Sequence, residues 1–246
     1  MKLFSEPASG LSCVIALHST KLGPAAGGCR LWEYDSLKHA MADAVRLSRG
    51  MSFKNAFAGL PLGGGKAVIL RPRHFDRGTL MREFGVAVES LKGAYITAED
   101  VGTSVQDMKF IAERTPYVSG IAKGDPSPWT AKGVFLAMRE AVRMALGRES
   151  MRDLTVAVQG IGSVGRHLCE LLHKEGAAII AADLRESALQ DVETRFGATI
   201  VGAESIHKVA CDVYAPCALG GGLNSSSIPE IAAKVICGGA NNQLAT

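Results

Sequence analysis

A strand, a glycine turn and a helix in immediate succession constrain the fold of this chain most. Leu154-Thr155-Val156-Ala157-Val158-Gln159 is a short β-rich run that leads into Gly160-Ile161-Gly162-Ser163-Val164-Gly165 and then into an amphipathic stretch, His167 to Lys174. The three glycines have separate tasks. The first makes the tight turn, the second admits a pyrophosphate against the backbone, and the third lets helix and strand pack. The helix N-terminus then faces the anion. The following strand, Ala177 to Ala182, ends in Asp183, where an acid meets the ribose hydroxyls of NAD. The pattern predicts a βαβ unit that binds NAD through Gly160, Ile161, Gly162, Ser163, Val164, Gly165 and Asp183. The Asp183 carboxylate repels the extra phosphate of NADP. Arg185 softens that preference without reversing it, because an arginine there partly accommodates the phosphate.

A second glycine cluster lies upstream. Gly59-Leu60-Pro61-Leu62-Gly63-Gly64-Gly65-Lys66-Ala67-Val68-Ile69 reads as a glycine-rich turn running into an apolar strand, with Lys54 a short distance before it. A phosphate-binding P-loop needs glycine at position 60 and serine or threonine after the lysine; Leu60 and Ala67 exclude it. Two readings remain, a tight turn and a chemical site. A lysine that is desolvated, or that sits beside another cation, moves toward its neutral form and serves as a base or nucleophile near neutral pH.

At 246 residues with a net charge of +3, the chain accommodates two ordinary domains, and its dispersed charge argues against nucleic acid or an anionic membrane as partner. No apolar run approaches a membrane span, and Met1-Lys2-Leu3-Phe4-Ser5-Glu6-Pro7 lacks a signal-peptide core, which predicts a cytoplasmic protein. Cys13, Cys29, Cys169, Cys211, Cys217 and Cys237 form no C-x-x-C, so buried reduced thiols are expected rather than zinc or disulfides. The six histidines form no ligand pattern. No metal is expected.

The elements alternate. Strands are expected at Leu11 to Leu17, Gly28 to Trp32, Lys66 to Leu70 and Tyr95 to Ala98, and helices at Ser36 to Phe57, Asp76 to Leu91 and Ser104 to Arg114, from apolar period and caps. Two prolines and a glycine between Ile121 and Pro128 mark a loop and a hinge. The expected domains are 1–123 and 124–246. Thr130 should cap a helix whose buried stripe is Val134, Phe135, Met138, Val142 and Ala145, stopped at Gly147. Beyond Asp183 a helix is expected from Glu186 to Phe196, with strands at Thr199 to Val201, Asp212 to Ala215 and Lys234 to Gly238.

Glu99 and Asp100 close the Tyr95 strand just before a Gly-Thr pair. Spacing alone favours helix-capping acids. Beside paired lysines and an NAD unit, however, an acid supplies the proton shuttle that amine chemistry needs.

Seven motifs now stand in order: Gly-Pro-Ala-Ala-Gly-Gly-Cys-Arg (23–30), Lys54 with Gly-Gly-Gly-Lys66, Thr-Ala-Glu-Asp-Val-Gly-Thr (97–103), Asp-Pro-Ser-Pro-Trp-Thr (125–130), the glycine fingerprint, Cys-Asp-Val-Tyr-Ala-Pro-Cys-Ala-Leu-Gly (211–220) and Gly-Gly-Ala-Asn-Asn-Gln-Leu (238–244). Together they resemble the leucine, phenylalanine and valine dehydrogenase branch of the glutamate dehydrogenase superfamily, over almost the whole chain. The resemblance implies an α/β fold with an N-terminal substrate domain and a Rossmann-like NAD-binding domain, a cleft between them, and a homo-oligomer. It implies reversible oxidative deamination of an L-amino acid to its 2-oxo acid and ammonia. By the same resemblance Lys54 binds the substrate carboxylate, Lys66 is the catalytic lysine, and Asp100 exchanges protons with the amino group and the attacking water. Ser127, Thr130, Cys217 and Ala218 hold the nicotinamide, Asn241 touches substrate or nicotinamide ribose, and Arg30 reaches the cofactor. Ala26 and Gly27 line the side-chain pocket, and Ala26 stands where the leucine enzymes commonly carry leucine. A smaller wall admits a larger side chain, but a few methylenes discriminate by only about 1–3 kcal/mol, so the implied substrate is apolar, branched-chain or aromatic.

Family members continue past the Asn-Asn motif with a segment that returns to the active site, whereas this chain stops at Thr246. A truncated, non-catalytic NAD-binding homologue or fragment is the alternative expectation. A 2-hydroxy acid dehydrogenase would need a histidine acid-base, and no histidine here lies in such a motif.

Overall fold

The computed structural model describes residues 1–121 and 124–245, and the chain divides into two units, Met1–Asp125 and Pro126–Thr246. The expected boundary at 123/124 touches residues 122 and 123, which lie outside the described ones.

The first unit runs β1 (Lys2–Glu6), β2 (Leu11–Ser19), β3 (Ala25–Trp32), α1 (Leu37–Phe57), β4 (Gly63–Leu70), α2 (Arg77–Glu89), β5 (Tyr95–Glu99) and α3 (Val105–Ala112). Its sheet has the order β1-β2-β4-β3-β5, with β3, β4 and β5 parallel and β1 and β2 antiparallel at one edge. β1 was not expected from the sequence, because Lys2-Leu3-Phe4-Ser5-Glu6 is too short and polar to stand out. Helices start where capping chemistry predicts. Ser36 accepts from the His39 amide, Asp76 from the Thr79 amide, and Ser104 with Asp107 forms a capping box.

Gly63, Gly64 and Gly65 form the start of β4 rather than the turn expected there. None has positive φ; that falls to Gly59, at +66°. Glycine is needed for close approach instead. A Cβ at Gly64 would lie 2.1 Å from Ser52 Oγ and 2.3 Å from the Ser52 amide, and one at Gly65 would lie 2.7 Å from the Tyr95 ring. The period of two in β4 therefore puts Gly64, Lys66 and Val68 under α1, while Ala67 and Ile69 enter the core built with α2 and α3. Tyr95 is fully buried, and its hydroxyl donates to the Gly27 carbonyl at 2.6 Å.

The second unit contains α4 (Ser127–Leu146), β6 (Thr155–Gln159), α5 (Ser163–Lys174), β7 (Ala178–Ala182), α6 (Glu186–Phe196), β8 (Thr199–Ile200), β9 (Val213–Pro216) and β10 (Val235–Ile236). All strands are parallel, in the order β10-β9-β6-β7-β8. This is the mononucleotide-binding order 3-2-1-4-5, with the switch point between β6 and β9, the place where ligands bind in such sheets. α4 starts earlier than expected. Pro126 is its N-cap, and Thr130 lies within the first turn, its hydroxyl donating to the Pro126 carbonyl at 3.2 Å. The buried stripe is Ala131, Phe135, Met138 and Val142; Ala145 is exposed, and Leu146, four residues after Val142, packs against the core in its place. Gly147 stops the helix in the left-handed conformation, φ +64°.

Two glycines test this account of packing. Gly64→Ala should destabilise the fold by about 1–3 kcal/mol, since the backbone of α1 must shift. Gly133→Ala, in an exposed helical position with nothing within 4 Å of the new methyl, should stabilise it by up to about 1 kcal/mol. Urea unfolding midpoints would show the opposite signs.

Candidate active site

Lys66 is buried in mid-strand, 4% exposed, and its ammonium donates a hydrogen bond to Asp100 Oδ2. Asp100 follows the carboxyl end of β5, and the Thr103 hydroxyl fixes its loop, accepting from the Asp100 amide and donating to the Cys29 carbonyl at 3.0 Å. The loop fits because residue 28 is glycine; a Cβ there would lie 2.7 Å from Asp100 Cβ. Arg30 Nε donates to the same carboxylate oxygen at 3.3 Å, and Arg30 Nη1 donates to Asp43 Oδ2 at 2.7 Å. Tyr34 Oη completes the row, donating to Asp43 Oδ2 at 2.5 Å. Two cations and two carboxylates thus balance in the seam between α1 and the sheet.

Burial pushes the Lys66 ammonium below the ordinary lysine range, and the Arg30 charge adds to this while Asp100 opposes it. Burial pushes the Asp100 carboxyl up, but the Lys66 and Arg30 charges outweigh it and hold the group below the ordinary aspartate range. At neutral pH Asp100 is an ionised acceptor touching a lysine that releases its proton more readily than usual. That combination suits proton exchange with an amine.

In the second unit the glycine turn lies between β6 and α5, at the switch point. Gly160 has φ +93°, and a Cβ there would lie 2.6 Å from the Ala218 amide; one at Gly165 would lie 2.0 Å from the Gly160 carbonyl; one at Gly162 would meet nothing within 4 Å. Gly162 is the N-cap of α5, without a side-chain cap. The open space above it and the free helix start fit a pyrophosphate. Cys217 and Ala218 follow the end of β9 and lie against this turn, the Cys217 amide donating to the Gln159 carbonyl at 2.7 Å. At the end of β7, Asp183 Oδ2 accepts from the Ile161 amide at 2.6 Å, and its Oδ1 accepts from the Arg185 amide at 2.8 Å.

Residues 5–117 match the family model for the Glu/Leu/Phe/Val dehydrogenase dimerisation domain, and residues 125–194 match that for Glutamate/Leucine/Phenylalanine/Valine dehydrogenase. The chain is 46% identical over 252 residues to the valine dehydrogenase of Streptomyces coelicolor, covering 99% of this chain and 69% of that one. It belongs to the Glu/Leu/Phe/Val dehydrogenase family. It is also 50% identical over 242 residues to the leucine dehydrogenase of Geobacillus stearothermophilus, covering 96% of this chain and 66% of the relative's length. Among solved structures, L-tryptophan dehydrogenase from Nostoc punctiforme superposes with a TM-score of 0.73 at 40% identity, covering all of this chain and 71% of that one.

Set against the family expectations, the structure brings Lys66 and Asp100 together and gathers Gly160 to Gly165, Cys217, Ala218 and Asp183 around one turn. Arg30, expected at the cofactor, has its guanidinium committed to Asp100 and Asp43. Lys54 is exposed on the last turn of α1, with no hydrogen bond to the Lys66 cluster among the described residues. Ala26 and Gly27 lie in β3, and Asn241 is exposed, its carbonyl oxygen 2.3 Å from where a Gly220 Cβ would stand. Ser127 and Thr130 occupy the first turn of α4. All six cysteines are free, but Cys211, Cys217 and Cys237 are only half-buried, at or near loop ends. Among the described residues no group of three His, Cys, Asp or Glu could hold a metal. Asp43 and Tyr34 were missed by sequence reasoning; the available signal was an acid adjoining Ala40 and Ala44 on the buried face of α1.

The site yields two tests. Because the folded carboxyl of Asp100 lies below its unfolded value, its ionised form stabilises the fold above about pH 3.9, and that stability is lost as pH falls through the lowered folded value. Asp100→Asn leaves Lys66 and Arg30 without their shared partner and should cost about 3–5 kcal/mol at neutral pH, a gap that narrows on acidification in urea titrations. Separately, Gly162→Val should leave the thermal midpoint nearly unchanged yet abolish dinucleotide binding, whereas Gly165→Ala should lower the midpoint itself. Calorimetric melting with and without NAD separates the two.

Proposed function

We propose that this chain carries the chemistry of an NAD-dependent L-amino acid dehydrogenase, which deaminates an apolar amino acid reversibly to its 2-oxo acid and ammonia. The buried Lys66–Asp100 pair, with Arg30 behind it, is the observation that carries the reading. Asp100, ionised, takes a proton from the substrate ammonium and so frees the amine for oxidation. NAD, when bound, supplies the hydride acceptor. Lys66, buried and cationic, holds the carbonyl oxygen that develops as water adds to the imine carbon and ammonia departs, and Asp100 moves the protons of that water. Lys54, exposed and charged, offers the substrate carboxylate a counter-ion. Ala26 and Gly27, side by side in β3, are assigned to the wall that meets a branched-chain or aromatic side chain, on the strength of their motif. Gly160 to Gly165, Asp183, Cys217, Ala218, Ser127 and Thr130 serve the dinucleotide, and Asn241 the substrate or nicotinamide ribose.

The names of the leucine, valine and tryptophan dehydrogenases to which the chain is similar support this class of reaction. As the chain spans 66% of the leucine dehydrogenase's length, the activity is proposed for the protein to which these residues belong. The dimerisation-domain match supports a homo-oligomer. Six free cysteines support a cytoplasmic setting; among the described residues no helix is long and apolar enough to cross a membrane.

NADH formation from L-leucine, L-valine, L-phenylalanine and L-tryptophan tests the reading. Turnover with at least one of them, reduced about 10²–10⁴-fold in Lys66→Ala, is the expected result. Substantial turnover by that variant would remove the assignment, and NAD binding without any turnover would favour a non-catalytic homologue.

A further inference from the structure

Arg185 is not simply a neighbour of the acid expected to meet the ribose. Its guanidinium is clamped to both sides of the dinucleotide turn: Nε donates to Asp183 Oδ1 at 3.2 Å, Nη2 reaches Asp183 Oδ2 at 3.4 Å, and the same Nη2 donates to the Ile161 carbonyl at 2.8 Å. The Ile161 and Arg185 amides also donate to the carboxylate, at 2.6 and 2.8 Å. An ionised carboxylate offers about four acceptor positions, and this chain's own donors address all of them. Asp183 is accordingly closed off, its side chain 10% exposed, while that of Arg185 stays 61% exposed. What this edge presents to a ligand is therefore a guanidinium whose charge cancels that of the acid behind it.

The consequence concerns the choice between the two nicotinamide dinucleotides. An unpartnered acid at the end of the second strand binds the ribose diol and repels a 2′-phosphate. Here the repelling charge is neutralised in place, and the exposed group is the one whose planar fork matches phosphate oxygens. We propose that Arg185 is a specificity-determining residue that widens the site from NAD alone to NAD and NADP. The inference rests on the glycine turn being a dinucleotide site, as in the proposed function, and adds the ligand class that it accepts. A 2′-phosphate engages Arg185 from the solvent side while Asp183 keeps the arginine in place.

Calorimetric titration of the wild-type chain, Arg185→Ala and Arg185→Lys with NAD and with NADP decides the matter, because binding is read without turnover. The expected result is wild-type affinities for the two ligands within about tenfold, a difference of about 1.4 kcal/mol. Arg185→Ala should then lose at least about tenfold in NADP affinity with a much smaller change for NAD, and Arg185→Lys should fall between. Raising the salt concentration should weaken NADP binding more than NAD binding in the wild type only. Wild-type binding of NAD without measurable NADP, or an equal loss of both ligands in Arg185→Ala, would overturn the role of Arg185 and leave the dinucleotide site standing. Binding of neither ligand by the wild type would overturn the dinucleotide reading and this inference with it.

Discussion

Four charges packed between one helix and one sheet govern the first unit: Lys66 and Arg30 against Asp100 and Asp43. Removing any of them from water is costly, and the set is tolerable because each charge meets an opposite one at hydrogen-bond distance. The helix must come close enough for Asp43 to reach Arg30, and glycine at position 64 allows that approach; the Asp100 loop must close over β3, and Gly28 makes room for it. Backbone economy and site electrostatics are thus one requirement. A methyl group added in the wrong place separates Lys66 and Arg30, both buried, from the carboxylates that balance them.

The second unit is built differently, around a helix start whose backbone donors no side chain caps. Gly162 leaves the start of α5 bare, Gly160 turns the chain by taking positive φ, and Gly165 lets the helix sit on the turn. The parallel order of strands places this turn beside the end of β9, so that Cys217 and Ala218 close its other side. Nothing in this arrangement needs a catalytic side chain. The proposed function divides its labour along the same line, with proton exchange assigned to the charged seam and the cofactor to the bare helix start.

Much of this was legible in the sequence. The fingerprint from Gly160 to Gly165 was readable because each glycine answers a separate steric demand within six residues. Helix starts at Ser36, Asp76 and Ser104 were readable because capping is local. The triple glycine reads locally as a turn but forms strand, since local sequence distinguishes poorly between glycine used for positive φ and glycine used for close packing; the deciding atoms, in Ser52 and Tyr95, come from distant segments. Arg30 and Asp43 were opaque for the same reason. Their partnership spans α1 and β3, and its only local trace is a charge set in an apolar run. Likewise the closure of Asp183 by Arg185 depends on the Ile161 carbonyl, which the turn supplies from across the sheet edge.

The state of the Lys66 ammonium is the most direct measure of this account. Lysine labelled with ¹³C at Cε, titrated by NMR in the wild type and in Lys66→Met to assign the resonance, reports its protonation without any substrate. One lysine should titrate below the others, and move lower still in Asp100→Asn, where the opposing carboxylate is gone and Arg30 remains. If Lys66 instead titrates with the surface lysines, near the ordinary value of about 10.4, the buried charge seam does not exist in solution and the catalytic assignment built on it fails.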